Sequence, residues 1–216
     1  MIFLVTEMRS NHPFNLAPNS YSVWSPRCAG RRLTERYIAV MSKPPEMNKA
    51  EQWLSSEDER CRTGRLERLQ WLATELPPGE YLTFPGGLMA KFLFEETRYC
   101  FAYGQYLAVI VLGVAFIERT LAAEFYASGR NDLERSSISE LLREARSAGW
   151  LTTVEYDAFD RARKVRNPVT HFRHPGHREN IESRMLEENE YPYTVIEQDA
   201  RIIAAAVMHM VGRHAV

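Results

Sequence analysis

The run Leu107-Ala-Val-Ile-Val-Leu-Gly-Val-Ala-Phe-Ile117 is the most apolar stretch of the 216-residue chain, and Glu118-Arg119 closes it. A helix needs about 20 apolar residues to cross a bilayer, so this run is too short to do so. It therefore predicts a helix buried in the core of a soluble protein. We expect this helix to extend from about Glu95 to Ala127, where Ser128-Gly129 ends it.

Four sequences of the form Ser/Thr-x-x-Glu accompany this helix. Each is a capping box, in which a hydroxyl and a carboxylate satisfy the first free amides of a helix. Pro77-Pro78-Gly79 ends the first of these helices, and an irregular connection is expected over residues 79–93. No alternating apolar run with an Asn-Gly or Asp-Gly turn is present, so we expect no β-sheet. The sequence predicts an all-α bundle of four or five helices. The boxes are Ser56-Glu-Asp-Glu59, Ser137-Ile-Ser-Glu140, Thr152-Thr-Val-Glu155 and Thr194-Val-Ile-Glu197.

Residues 1–45 differ from the rest of the chain in composition. They hold five prolines, and no acidic residue lies between Met8 and Thr34. A segment of this kind buries little apolar surface. We predict that residues 1–45 are a poorly structured extension, an organelle transit peptide or the result of a start set upstream of Met41. Residues 46–216 are predicted to form the helical domain.

The overall charge excludes two classes of protein. With 27 Lys+Arg against 28 Asp+Glu, the formal net charge is −1, which fits neither a globally basic nucleic-acid-binding protein nor an acidic tail protein. Arg outnumbers Lys 23 to 4, which reflects either a GC-rich genome or phosphate recognition. The three cysteines are far apart and form no metal-binding spacing, which indicates a reducing cytoplasm. Sequences typical of nucleotide-binding loops, serine hydrolases and zinc proteases are absent.

Residues 161–178, which we call the basic strip, carry a strong local excess of positive charge. Six of these eighteen residues are Lys or Arg, three are His and none is acidic. The strip contains Arg166-Asn-Pro-Val-Thr-His171, in which Asn167 and His171 share a helix face. A straight helix places Arg166 and His171 about 140° apart. Pro168 either begins a new helix or kinks an existing one, which could aim both side chains at one cleft.

This Arg-Asn-x3-His motif, on the penultimate helix of a small bundle and after a long apolar helix, resembles the HEPN superfamily over about residues 55–216. Members with an Arg-x4-6-His motif are typically metal-independent endoribonucleases of toxin–antitoxin, abortive-infection and other defence systems, or of eukaryotic RNA processing. They act as dimers, in which the motifs of two chains meet across a shared cleft. The resemblance implies a cytoplasmic homodimer that binds RNA, uses no cofactor and has an antitoxin or another defence protein as partner.

The chemistry of these side chains agrees with the resemblance. His suits proton transfer near neutral pH, and Arg suits the negative charge that develops on a phosphorane. We predict that His171 is the general acid–base, that Arg166 clamps the phosphate, and that Asn167 orients His171 or binds the phosphate. Attack by the 2′-hydroxyl would leave a 2′,3′-cyclic phosphate. Flanking RNA is expected to contact Arg173, His174, Arg161, Arg163 and Arg178.

Glu118 is a supporting candidate. HEPN sequences often carry an acid that faces the motif from the long helix, and Glu118 in that place would hold the guanidinium of Arg166. The alternative is a surface ion pair with a nearby Arg.

Several structural interpretations compete with these roles. Arg166 and His171 could cap the carbonyls of a helix end. A metal site at His171, His174 and His177 is not expected, because Pro175-Gly176 breaks any helix and no acid completes a ligand shell. The remaining C-terminal histidines, His209 and His214, fit the core edge or the helix dipole.

The aromatic residues near the start of the long helix fit a core or a dimer interface better than a base-stacking platform. The acidic stretch from Glu182 to Glu190 fits a loop or a short helix. The alternative function is a non-catalytic helical module that binds RNA or protein through the same basic face. A helical scaffold is a third. The aromatic residues in question are Phe92, Phe94, Tyr99, Phe101, Tyr103 and Tyr106.

Overall fold

The computed structural model describes residues 7–8, 48–76 and 81–215. The predicted all-α fold is confirmed in this part of the chain, which forms seven α-helices and a single two-residue antiparallel strand pair, β1 (Glu7–Met8) with β2 (Tyr81–Leu82). A 3-10 turn at Asn131–Leu133 joins the third and fourth helices. The helices are α1 (Lys49–Glu75), α2 (Gly87–Ala102), α3 (Tyr106–Ala127), α4 (Ile138–Ser147), α5 (Thr153–Thr170), α6 (Ile181–Glu188) and α7 (Pro192–Gly212).

The chain divides into two compact units, Ser10–Arg62 and a larger unit made of Met1–Arg9 and Thr63–Val216. The described part of the smaller unit is residues 48–62, in the first half of α1. The predicted extension over residues 1–45, and its boundary with the helical domain, lie outside the described residues apart from β1. Every candidate site residue lies in the larger unit.

The core of the larger unit is built around α3, as the apolar run predicts. This helix packs against α2, α5 and α7, and Ile110, Ile117 and Leu121 are completely buried. Gly113 lets α7 approach closely, because a Cβ atom there would collide with Ile203.

The length and composition of α3 would also allow it to cross a membrane. It has 22 residues, with a mean hydropathy of 1.8 in its most apolar window. The helix is longer than the apolar run because it continues from Glu118 to Ala127. Half of that window is buried inside the fold, as in the core helix of a globular protein.

The prediction of one long helix from Glu95 to Ala127 is wrong. The chain forms two helices, α2 and α3, separated by Tyr103, Gly104 and Gln105. Gly104 has a φ of 74°, a left-handed conformation that ends a right-handed helix and that glycine adopts easily. The predicted connection over residues 79–93 is also too long, because α2 already begins at Gly87.

One of the predicted capping boxes is confirmed in full, and a second forms only the bond to its serine. The Ser137 side chain accepts a hydrogen bond from the amide of Glu140 at the start of α4. At the start of α5, the Thr152 hydroxyl accepts from the amide of Glu155 at 3.2 Å, and the Glu155 carboxylate accepts from the amide of Thr152 at 2.7 Å. These bonds fix the first turn of the helix that carries the motif.

The other two predicted helix starts are wrong. Ser56 lies inside α1, which begins earlier because Asn48 and Glu51 form the box: their side chains accept from each other's amides at 2.9 and 2.8 Å. Thr194 lies inside α7, which begins at Pro192, where the fixed φ of proline suits the first turn. The acidic stretch predicted as a loop or short helix forms α6.

The aromatic series divides between two faces of α2 and the start of α3. Phe94, Phe101 and Tyr106 are buried, as the interpretation of these residues as core predicts. Phe92, Tyr99 and Tyr103 are exposed, together with the neighbouring Leu88 and Met89. We call the exposed set, Leu88, Met89, Phe92, Tyr99 and Tyr103, the α2 face.

Candidate functional site

The motif lies at the carboxyl end of α5. Phe159 and Ala162 bury one side of this helix. Pro168 lies inside its last turn, so of the two predicted placements the structure has the proline within an existing helix. The helix ends two residues later, and His171 has extended backbone angles (φ −125°, ψ 126°).

Arg166 faces α3, where it meets Glu118. Its Nη2 atom lies 3.8 Å from the Glu118 Oε2 atom, and its Nη1 atom donates to the Thr170 hydroxyl at 3.4 Å. The Arg166 side chain is 21% exposed and that of Glu118 is 40% exposed. Glu118 therefore faces the motif as expected, in a partly exposed pair that a solute can reach.

His171 is the first residue beyond the helix. Its backbone amide donates to the Asn167 carbonyl at 2.9 Å. Its imidazole is exposed and has no hydrogen-bond or ionic partner among the described residues. Asn167 thus fixes the backbone of His171, whereas the predicted contact of its side chain with the imidazole is not formed. No hydrogen bond joins Arg166 to His171 in the described chain.

Residues 171–180, which we call the motif loop, are held by their own hydrogen bonds. The Asn180 side-chain amide donates to the His174 carbonyl at 2.9 Å, and the His177 amide donates to the same carbonyl at 3.1 Å. Arg173 Nε donates to Glu179 at 3.1 Å and lowers the pKa of that carboxyl. The loop is therefore ordered although it contains neither helix nor strand.

Acidic neighbours neutralise part of the basic strip. Arg163 and Lys164 both lie 2.7 Å from the Asp160 carboxylate. Burial raises the pKa of Asp160, but these two cations outweigh it and the pKa is lowered. The structure thus commits Arg163 to Asp160 and Arg173 to Glu179, whereas Arg161 and Arg178 form no ion pair in the described chain.

Arg161 and Arg178 instead line an open cleft of about 510 Å³ between α5, α6 and α7. Arg166 and His171 do not line this cleft. Arg161 and Pro168 do line it, and they lie on the side of α5 opposite to Arg166. The cleft holds four cations and four acids, so it is not a basic groove. Its charged lining consists of Arg161, Lys164, Arg178, Arg184, Glu179, Glu187, Glu188 and Asp199.

Two histidines of the basic strip, His174 and His177, contact each other and the backbone. The rings of His174 and His177 meet edge to face at 5.3 Å, and His174 Nδ1 lies 3.0 Å from the Pro175 carbonyl. Among the described residues, no three side chains of His, Cys, Asp and Glu are grouped so that they could share an ion.

Sequence reasoning missed two polar clusters. Arg184 binds the buried Asp199 through two hydrogen bonds of 2.6 and 3.0 Å, which fasten α6 to α7. Glu155 binds His209 at 3.3 Å and Arg213 at 3.4 Å as well as capping α5. Burial opposes the charge of Glu155, but these partners and Thr152 outweigh it and lower the pKa to about 2. The capping box was the visible signal for Glu155.

The two C-terminal histidines lie at the core edge, as expected, and both meet acids. His209 meets Glu155, and His214 Nε2 lies 2.8 Å from a Glu124 carboxylate oxygen.

Comparison with models of protein families, with curated proteins and with solved structures finds no match to this chain. The motif was expected on the penultimate helix, but α5 is followed by both α6 and α7. The resemblance to the HEPN superfamily therefore stays a prediction that rests on the motif residues.

Proposed function

We propose that the chain is a metal-independent endoribonuclease in which Arg166 and His171 act on the scissile phosphate. One observation carries the proposal. The imidazole of His171 is exposed and has no partner in the described chain. It directly follows the last turn of α5, where the Arg166 guanidinium contacts Thr170 of the same turn and Glu118 of α3. A proton-transfer group and a fixed cation thus lie at one end of α5.

The proposed reaction needs no other chemistry. The 2′-hydroxyl attacks the adjacent phosphorus, and a neutral imidazole takes its proton. Arg166 stabilises the charge on the phosphorane oxygens. The P–O5′ bond breaks, and an imidazolium protonates the departing 5′-oxygen. The products are a 2′,3′-cyclic phosphate and a 5′-hydroxyl.

Proton acceptance and donation call for two groups in opposite protonation states. One chain offers a single His171 at this site, and a homodimer would offer two. We therefore propose a homodimer, as the resemblance implies. The exposed α2 face is the surface proposed for pairing, because monomers seldom expose a row of large apolar side chains on one helix.

Flanking RNA would be bound by cations that remain accessible. Arg161 and Arg178 are not committed to carboxylates, and His174 is exposed. Arg163 and Arg173 would contribute less, because each already has an acidic partner.

The test is cleavage of single-stranded RNA in the presence of a chelator. The wild-type protein should leave 2′,3′-cyclic ends, and His171→Ala and Arg166→Ala should each lose at least about 100-fold in rate. His209→Ala is the matched control, since it removes a half-exposed imidazole that is bound to Glu155, and it should cleave normally. Cleavage by His171→Ala at the wild-type rate would refute the proposal.

A toxin or anti-phage defence role gives the same variants a second readout. Expression of the wild-type chain in a bacterial host should arrest growth, whereas His171→Ala should not. An antitoxin or another defence protein would then be the partner that restrains the enzyme in a cytoplasmic setting.

A non-catalytic module is the second candidate, and the ion pairs favour it. Four of the six Lys and Arg side chains of the basic strip already face an acid, namely Arg163, Lys164, Arg166 and Arg173. RNA binding without cleavage and without toxicity would select this candidate.

A further inference from the structure

Phe172 is the most exposed large apolar side chain that the structure describes, at 88% exposure. It lies between His171 and Arg173 in the motif loop, and adjacent Cα atoms are about 3.8 Å apart. The aromatic ring thus belongs to the residue that directly follows the His171 to which the proposed function assigns proton transfer. Core packing does not account for this ring.

Order in the motif loop makes this exposure a property of the fold. His174 is fixed by hydrogen bonds to its carbonyl from Asn180 and His177, and Arg173 is fixed to Glu179. On the other side, the His171 amide is tied to the end of α5. Phe172 is thus flanked by anchored residues and has little freedom to fold back onto the core.

The Phe172 ring is free of the ring and cation contacts that several other exposed aromatic residues make. Tyr99 and Tyr103 stack on each other with ring centroids 4.4 Å apart, and Arg65 covers Tyr103. Tyr193 meets the edge of Tyr106. Phe172 has no ring or cation partner among the described residues.

We infer that Phe172 stacks on an unpaired base next to the phosphate held at Arg166 and His171, so that the substrate is single-stranded RNA. This inference rests on the proposed function. Stacking on an aromatic ring requires a base whose face is free, and in a duplex both faces are covered by neighbouring pairs. Because every base has such a face, the contact tolerates any sequence.

Charge around Phe172 supports a nucleic acid as its partner. His171 precedes the ring by one residue and His174 follows it by two, and both are exposed. Exposed nitrogen groups next to an exposed ring are the combination by which proteins hold single strands, the nitrogen groups binding phosphates and the ring binding a base.

Binding can be measured separately from cleavage in a His171→Ala background. Phe172→Ala should weaken binding of a single-stranded ten-nucleotide RNA by about 5- to 100-fold, and Phe172→Trp should restore it. Tyr191→Ala is the matched control: it removes another highly exposed aromatic ring and should leave affinity unchanged. Affinity for a blunt RNA duplex should respond to none of these changes.

Tryptophan fluorescence gives a second readout that needs no activity. The added emission of Phe172→Trp, taken as the difference from the parent protein, should be quenched by the single strand and not by the duplex.

The outcomes distinguish the inference from the proposed function. If the wild-type protein cleaves RNA while Phe172→Ala binds the single strand normally, the stacking inference is overturned and the ribonuclease stands. If Phe172→Ala weakens binding but no variant cleaves, the stacking inference stands and the ribonuclease fails. The inference would be overturned if the parent protein bound no RNA. It would also be overturned if Phe172→Ala changed only self-association, because the ring would then contact protein and not a base.

Discussion

Glu118 both holds Arg166 and competes with its proposed ligand. The 3.8 Å pair is long and partly exposed, and such pairs contribute only up to about 1 kcal/mol of stability. An incoming phosphate can therefore share the guanidinium, although the carboxylate repels it. Glu118 is best described as a positioning residue, since it would act on RNA through Arg166.

Substitution Glu118→Gln should separate these two effects. Removing the negative charge should tighten RNA binding by about two- to fivefold, in line with the modest energy of an exposed pair. The single-turnover rate at saturating RNA should fall, because Arg166 is no longer held toward the phosphate. Rate and affinity measured across an RNA titration would show opposite changes.

Glu134→Gln is the control for that substitution, since Glu134 is an exposed glutamate after α3 that forms no ion pair in the described chain. Glu134→Gln should change neither the affinity for RNA nor the single-turnover rate. A Glu118→Gln protein with unaltered rate and affinity would contradict a positioning role.

One ion pair of the basic strip could be predicted from the sequence and two could not. The Glu118–Arg166 contact follows from the resemblance, and both side chains face each other. The pairs of Asp160 with Arg163 and of Glu179 with Arg173 were not predicted. The basic strip was defined as a run without acids, and both acids lie just outside that run in sequence. Folding brings them back against Arg163 and Arg173.

At the scale of elements, α3 positions the site by supporting α5 and α7 at once. It carries Glu118 toward Arg166, and five residues earlier Gly113 lies against α7. A Cβ atom at Gly113 would be 3.1 Å from a Val207 methyl and closer still to Ile203. Both neighbours are β-branched side chains in a helix, which cannot rotate away easily.

Gly113→Ala should therefore destabilise the fold. Overpacking costs about 1–3 kcal/mol, whereas the better helix propensity of alanine returns about 1 kcal/mol. We expect a net loss of up to about 2 kcal/mol in the free energy of unfolding, measured by urea denaturation and circular dichroism.

Gly64→Ala is the matched control within α1. Its new Cβ would meet only the end of the flexible Arg68 side chain, at 3.1 Å, so stability should stay the same or rise. Equal stability of Gly113→Ala and the wild-type protein would mean that α3 and α7 separate at no cost.

Element boundaries show which local signals are sufficient. Ser137 and Thr152 begin helices as predicted, because a side chain that accepts from an amide three residues later is a purely local contact. Ser56 and Thr194 fail because Asn48 and Pro192 supply an earlier start. The break at Gly104 was missed because apolar residues on both sides continue a helical pattern across it.

At the scale of the whole molecule, the basic strip is divided among three places. Arg166 faces α3, Arg161 and Arg178 line the cleft beside α6, and Arg173 belongs to the motif loop. The sequence shows how many cations lie together, but the helical twist of α5 sends neighbours to different sides. The basic strip of one chain consequently presents little continuous positive surface, which strengthens the case for a site completed by a second copy.

The α2 face is where that second copy is proposed to bind. Leu88, Phe92, Tyr99 and Tyr103 follow a helical spacing of four, seven and four residues, so they lie on one side of α2, opposite the buried Phe94 and Phe101. The start of α2 is fastened to α3, since Arg119, next to Glu118 in sequence, donates to the Gly86 carbonyl at 3.1 Å. The α2 face thus belongs to a helix that packs against the element carrying Glu118.

Phe92→Glu should therefore separate the dimer and reduce cleavage together. Phe92 is half exposed, so the monomer should fold normally, while a charge buried between two copies opposes association. We expect sedimentation at monomer mass and at least a tenfold lower specific activity. Leu186→Glu, at a more exposed position on α6, should leave both unchanged.

The wild-type rate should fall more steeply than in proportion to enzyme concentration on dilution, because two chains are needed for one site. A Phe92→Glu protein that stays dimeric would leave the α2 face without this role. A monomeric Phe92→Glu protein with wild-type activity would place the second proton-transfer group within one chain.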